Sequence, residues 1–416
     1  MRAAFVSNYI NHHQIPFCNE MNRLLNGEFT FIQTQSMETE RVKMGWHENE
    51  RPEYVRCWYE EEDFCRRLIM DCDVVLFGGT DDESFIQERL AAGKPVVRLS
   101  ERLYRTGQWK AVSPRGLRKK YLDHTRYRNS SVWLLCPGAY VPSDFHIVRA
   151  YPGKMYCWGY FPETKFYDVE ALLDGKGWSE ESGSKALYIL WAGRMMVLKH
   201  PELALETARH LKARGVDFHM DIVGDGELKP RLEELRHSYE LEDQVSLPGF
   251  QSPEEVRRRM EKADIFLFTS DRREGWGAVV NEAMNSACAL VADHMIGAVP
   301  YLIDQGKNGF AYQDGKGEEL FSLVARLAED RELCRTLGRN AYHTIVDTWN
   351  AENAAAGLLK LIESLLAGED ISRRSVSAED CFSGKLGPCA PAPILSERGA
   401  LRLLKRSSNP APSAKF

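Results

Sequence analysis

Nowhere in the 416 residues do 18 apolar positions follow one another, so no segment reads as a membrane-spanning helix. The ten cysteines contain no Cys-X-X-Cys pair and no regular spacing. That argues against a zinc site or a disulfide framework and for a reducing compartment. The opening run Met1-Arg2-Ala3-Ala4-Phe5-Val6-Ser7-Asn8 is too short in apolar residues for a signal peptide, so the expected location is cytoplasmic. No convincing Asp-X-Asp metal motif is present; Asp81-Asp82 and Glu60-Glu61-Glu62-Asp63 read more simply as surface charge. A net charge of −6 argues against general nucleic-acid binding. What remains, 44% hydrophobic and 27% charged, is a globular chain too long for one core, and two domains are expected.

Short apolar runs alternate with longer amphipathic stretches, the pattern of parallel sheets covered by helices. In the first half, strands are expected at 3–7, 74–77, 95–99, 132–136 and 154–158, with helices at 14–25 and 84–92. In the second half, strands at 186–192, 217–223, 244–247, 264–269 and 289–292 alternate with helices at 201–214, 228–240, 252–262 and 278–287. The expected fold class is α/β, with two Rossmann-like, doubly wound parallel sheets separated by a cleft. Residues 1–165 make the first domain, 166–184 a linker rich in Gly and Ser, and 185–349 the second domain. An amphipathic helix at 350–368 is expected to pack back towards the first domain, and 369–416, with many Pro, Ser and Ala, reads as a disordered tail.

The candidate chemistry lies after the strands of the second half. Glu274-Gly275-Trp276-Gly277 follows one strand and leads to Glu282 in the next helix, placing two carboxylates around a glycine turn at a helix start. Helix-start amides favour an anion, glycines admit a ligand to the main chain, and carboxylates accept from hydroxyls. The alternative is a solvated loop acid plus a first-turn glutamate favoured by the helix dipole. Gly193-Arg194-Met195-Met196-Val197-Leu198-Lys199 follows another strand, and its two cations either grip a pyrophosphate or are surface charges. Gly224-Asp225-Gly226 permits close backbone approach, and Pro248-Gly249-Phe250 offers a ring that frames a planar base or belongs to the core. All four features follow successive strands, so they share one sheet edge, and the ligand they describe together is a nucleotide sugar.

These runs, with Lys199-His200-Pro201, Glu282-Ala283-Met284, Gly297-Ala298-Val299-Pro300 and Asn308-Gly309-Phe310, resemble the family 4 (group 1) glycosyltransferases of the GT-B fold. The resemblance covers about residues 185–367 and implies two facing Rossmann-like domains with an interdomain cleft. It also implies catalytic roles for Arg194, Lys199 and Glu274, the two cations on the donor diphosphate and Glu274 on the donor sugar. Gly193, Gly224, Asp225, Phe250, Gly275, Trp276 and Gly277 would line the donor site, and Glu282 would take the ribose hydroxyls. Such enzymes usually retain anomeric configuration and need neither metal nor cofactor, because cations and helix dipole take the electrostatic role. One departure is Asn285-Ser286-Ala287-Cys288-Ala289-Leu290, where relatives often show Ala-X-Gly-X-Pro-Val.

Acceptor-side candidates are fewer. His12 and His13, in a loop after the first strand, either bind acceptor hydroxyls or a donor phosphate, or form a polar capping loop. Glu101 is either a base or hydroxyl acceptor, or a helix cap. Between Arg98 and Arg128 stand ten Lys or Arg against two acids, interleaved with Tyr104, Trp109, Tyr121 and Tyr127. Such a run suits an anionic membrane surface, with a solvated face or a phosphorylated acceptor as alternatives. The expected activity is transfer from a nucleoside diphosphate sugar to a saccharide or lipid-linked saccharide, in cell-surface glycan synthesis and peripheral to the membrane. A non-catalytic nucleotide-sugar-binding subunit and a GT-B sugar epimerase are the alternatives.

Overall fold

The computed structural model describes residues 1–37, 51–177, 186–313, 315, 317–369 and 376–408. Thirteen strands fall in two all-parallel sheets. The first contains β1 (Ala3–Ser7), β2 (Phe29–Gln33), β3 (Val55–Cys57), β4 (Val74–Phe77), β5 (Val96–Leu99), β6 (Val132–Pro137) and β7 (Met155–Trp158) in the order β3-β2-β1-β4-β5-β6-β7. The second contains β8 (Leu187–Ala192), β9 (Phe218–Val223), β10 (Val245–Gly249), β11 (Ile265–Phe268), β12 (Ala289–Asp293) and β13 (Gly309–Tyr312) in the order β10-β9-β8-β11-β12-β13. Strands such as Val74–Phe77 and Ile265–Phe268 are apolar and buried at every position, as parallel strands covered by helices on both faces must be.

In each sheet the winding reverses once. The reversal lies between β1 and β4 in the first, where Ala3 pairs with Val74. It lies between β8 and β11 in the second, where Ile189 pairs with Ile265. At such a point the two connections leave to opposite faces of the sheet, and the loops at the carboxyl ends of the strands diverge to leave a crevice. The β8 and β11 loops carry Gly193 to Lys199 and Glu274 to Gly277. β2, β3 and β13 were absent from the sequence expectation.

By contacts the chain divides into two units: Met1–Glu163 with Trp349–Ala378 and Leu386–Leu395, and Thr164–Thr348 with Glu379–Lys385 and Ser396–Phe416. Within the first unit, the helix Ala351–Leu366 packs on the helix Ile15–Leu24.

Two expectations need correction. The described part of the linker is packed structure: Val169–Asp174 is a helix whose N-cap Asp168 accepts from the Glu170 and Ala171 amides. Leu173 is buried and the Tyr167 amide donates to Tyr342 Oη at 2.8 Å. Residues 178–184 lie outside the described residues. The tail expectation also fails over 376–408. The Cys389 and Ala392 amides donate to the Cys157 and Met155 carbonyls at 2.8 and 2.9 Å, and the Cys157 amide to Ala390, so this segment runs along the free edge of β7. Pro391 tolerates that edge because it has no N–H to place. In the second unit the Phe382 amide donates to the Pro300 carbonyl at 2.8 Å, and Glu397–Ser408 forms a helix with Ala400 and Leu404 buried. Proline there marks extended pairing, not disorder. Residues 370–375 and 409–416 lie outside the described residues. Among the described residues no helix is long and apolar enough to cross a membrane.

Candidate active site

The strand-end loops of the second unit are stitched together by main chain. The Gly193 amide donates to the Val223 carbonyl at 3.0 Å, Met195 to Asp225 at 2.8 Å, Leu228 to Met195 at 3.0 Å, and Gly224 to Gly249 at 2.9 Å. Gly224 has φ +140°, and a Cβ there would stand 1.9 Å from the Gly193 carbonyl oxygen. Glycine at 224 is therefore what lets the β8 and β9 loops meet.

The β8 and β11 loops are joined by side chains as well. Thr269 Oγ1 donates to the Lys199 and His200 carbonyls at 2.7 and 3.0 Å and accepts from Trp191 Nε1 at 2.9 Å. The Asp271 amide donates to the Leu198 carbonyl at 2.9 Å. Across this junction Lys199 Nζ donates to Glu274 Oε2, and the ammonium lies 5.4 Å from the centre of the Phe268 ring. Both side chains are mostly buried, so the pair is screened less than a surface ion pair. Gly277, at φ +88°, packs where a Cβ would press on Phe268 at 2.5 Å, which sets the turn after Glu274. The Trp276 ring points into the core and donates to Asn281 Oδ1 at 2.9 Å, leaving only its main chain for a ligand.

Glu282 begins the chemistry of the following helix, Val279–Asn285. Its surface exposure is intermediate, yet its carboxyl is enclosed enough that burial raises its pKa, with Arg257 and Lys165 opposing the rise. Among the described residues none donates a hydrogen bond to that carboxylate. Asn285, one turn on, accepts from Arg257 Nη2 and from the Lys165 main-chain amide at 2.8 Å, and so holds the Arg257 guanidinium and the backbone at Lys165. The departure Asn285-Ser286-Ala287 thus has a structural use at its first residue. At its third it has a cost, because Ala287 sits at φ +54°, where relatives often place glycine.

The remaining predicted residues occupy the same edge. Arg194 is exposed. Asp225 is exposed and held below the usual carboxylate range by Lys229, 3.1 Å away, and by the Gly226 amide. Phe250 is 56% exposed, so the core alternative for its ring fails.

On the first unit the predicted residues lie after β1 and after β5. The His12 and His13 rings lie 3.8 Å apart, and the His13 amide donates to Asn11 Oδ1 at 3.0 Å. Glu101, after β5, accepts from Tyr160 Oη at 2.7 Å and Arg105 Nη1 at 3.1 Å. It caps no helix. The basic stretch is not one surface. Arg98 is buried, with two 2.6 Å contacts to Glu83, and Arg102 is buried against Asp144. Both are too costly to leave unpaired, so they serve the fold and the exposed basic face begins at Arg105. His124 is also buried, between Arg98 and Tyr151, and burial pushes its pKa down to about 2.

Among the described residues no group of three or more His, Cys, Asp and Glu is placed to hold a metal ion. Asp271, which accepts from Arg273 Nη2 at 2.6 Å, and His200 were not singled out from sequence. Each has a partner two residues on, Arg273 and Glu202, but the contact between the two joins separate loops, so no local pattern marks it.

The sequence profile of the family described as glycosyl transferases group 1 matches residues 177–344. Those residues are a group 1 glycosyltransferase domain. The domain includes every donor-side residue named above. Alpha-D-kanosaminyltransferase of Streptomyces kanamyceticus is 33% identical over 153 residues, 37% of this chain and 39% of that protein. The amylovoran biosynthesis glycosyltransferase AmsK of Erwinia amylovora is 32% identical over 148 residues, 34% of this chain and 36% of that protein. The matched region therefore spans well under half of either relative. Anabaena Alr3699/HepE, crystallised with UDP, superposes with a TM-score of 0.64 at 14% identity over 88% of this chain and 100% of that one. At that identity the likeness concerns the fold alone, which is GT-B.

Proposed function

We propose that the chain is a glycosyltransferase that moves a sugar from a nucleoside diphosphate sugar to a saccharide or lipid-linked saccharide. The observation that carries this reading is the Lys199–Glu274 pair at the β8/β11 reversal, with Glu282 enclosed and without a donor of its own in the next helix. A partly enclosed carboxylate without hydrogen bonds keeps its acceptors available where two vicinal hydroxyls will bind. Lys199 and Arg194 face the diphosphate, Glu274 the sugar, and Phe250 the base. Binding of the diphosphate recruits the Lys199 ammonium, which leaves Glu274 free to accept from sugar hydroxyls.

Transfer proceeds with retention and without a divalent metal. The C1–O bond to the β-phosphate breaks while the acceptor oxygen bonds to C1 on the same face. The acceptor proton goes to the departing phosphate oxygen, and the nucleoside diphosphate leaves with its charge on the cations and amides. His12, His13 and Glu101 are the acceptor-side groups of this reading. One relative's name, in amylovoran biosynthesis, supports a role in building a cell-surface polysaccharide, which remains part of this reading.

The acceptor is met at the inner face of a membrane. Trp109 and Val112, 72% and 79% exposed, stand with Leu117 and Tyr121 beside the exposed Arg115, Arg118 and Lys119 on and before the helix Pro114–Asp123. Apolar and basic groups together suit an anionic bilayer. Pelleting with anionic vesicles that weakens with salt is expected; no pelleting sinks this part.

Thermal shift with UDP, GDP, ADP and their sugars tests the whole reading, since a bound nucleotide raises the melting temperature by mass action. One of them should stabilise the protein, and its sugar should be hydrolysed slowly or transferred. Product analysis without an acceptor separates an epimerase, and binding without turnover a sensor subunit.

A further inference from the structure

We propose that His200 is a positioning residue of the donor site, its ring bridging Glu202 and Asp271 so that the loop carrying Lys199 is held in register with the loop carrying Glu274. This rests on the transferase reading above.

His200 adopts a left-handed backbone, φ +46°, that a non-glycine residue takes up only at a cost. The conformation aims the ring between two acids: Nδ1 is 2.9 Å from Glu202 Oε1, and Nε2 is 3.4 Å from Asp271 Oδ2. Glu202 opens the helix Glu202–Ala213 that follows the β8 loop. Asp271 belongs to the β11 loop, where it also holds Arg273 and where its carbonyl accepts the Glu274 amide at 3.0 Å. The neighbour on the other side is Lys199, paired with Glu274. The ring, carried next to Lys199, therefore joins Glu202 at the following helix start to Asp271 on the loop of Glu274.

A protonated imidazole donates from both nitrogens and satisfies both carboxylates; a neutral one donates from one only. The two acids raise the pKa of His200 from the ordinary 6.5, the Glu202 hydrogen bond foremost and burial opposing. The tie is thus complete at and below that ordinary value and is lost as pH rises through the raised one. Above it, one carboxylate faces a lone pair and the two loops lose their bridge.

The test uses full-length protein and whichever of UDP, GDP and ADP binds, followed by calorimetry from about pH 6 to about pH 9. His200→Gly removes the ring and keeps the left-handed backbone without strain. Wild-type affinity should fall roughly tenfold on the alkaline side, while His200→Gly should bind weakly at every pH. With the sugar donor the change should fall mainly on KM, and His200→Gln, able to donate to one acid, should restore part of the affinity without the pH dependence. Wild-type affinity and pH profile in His200→Gly overturn the proposal and leave the transferase reading standing. If none of the nucleotides binds wild-type protein, both fall together.

Discussion

The two parallel sheets treat the ends of their strands differently. In the second unit the loops after β8, β9, β10 and β11 are bonded to one another, through Gly193, Gly224, Met195, Asp271 and Thr269, into one continuous edge. In the first, the His13 amide donates to Asn11 in the loop after β1, and Glu101 after β5 accepts from Arg105 and from Tyr160, which follows β7. Two ion pairs of that unit, Arg98–Glu83 and Arg102–Asp144, hold buried arginines in its body. A diphosphate with a ribose is a fixed shape and charge, and a rigid edge of amides and cations suits it.

This contrast breaks or sharpens under substitution. Lys199→Ala should lower steady-state transfer by about 100- to 1,000-fold, whereas Glu101→Gln should lower it less than about tenfold at saturating acceptor; equal losses would erase the distinction between the sheets. Asp144→Ala leaves Arg102 buried without its partner and should cost the first unit about 3–5 kcal/mol, read by denaturant unfolding. Nucleoside diphosphate affinity should stay as in wild type, measured below the unfolding transition.

Glu282→Gln acts in opposite directions on stability and binding. A carboxyl whose pKa is raised on folding is favourable while protonated and loses that advantage as pH rises through the folded value. At neutral pH the neutral amide should therefore raise the melting temperature while weakening nucleotide binding, and the gain should vanish below the ordinary glutamate range near 4.5. A lower melting temperature at neutral pH would show that the enclosed carboxylate is not under strain. Smallest is Ala287→Gly, which relieves the left-handed turn and should add about 0.5–1 kcal/mol in thermal unfolding with activity unchanged.

How far the sequence could be read follows the same division. β1 and β4 begin and end at the expected residues, because short apolar runs between polar breaks leave little choice. β2, β3 and β13, five, three and four residues long, escaped, although Asn26-Gly27 stands before the first and Asn308-Gly309 opens the last. The turns at Gly193 and Gly224 were legible because each glycine follows its strand directly. The contact between His200 and Asp271 was not, since it joins two loops, and neither was the burial of Arg98 and Arg102, whose acids lie 15 and 42 residues away. The packed segment at 376–408 was hidden by its own composition, in which proline at a sheet edge looks like disorder.

The central claim is that the second unit alone carries the nucleotide. Calorimetric titration of wild type, Lys199→Ala and Glu101→Gln with the nucleoside diphosphate that stabilises the protein tests it most directly. Binding lost in Lys199→Ala and kept in Glu101→Gln is the predicted result. Wild-type affinity in Lys199→Ala, or an equal loss in both variants, would contradict it.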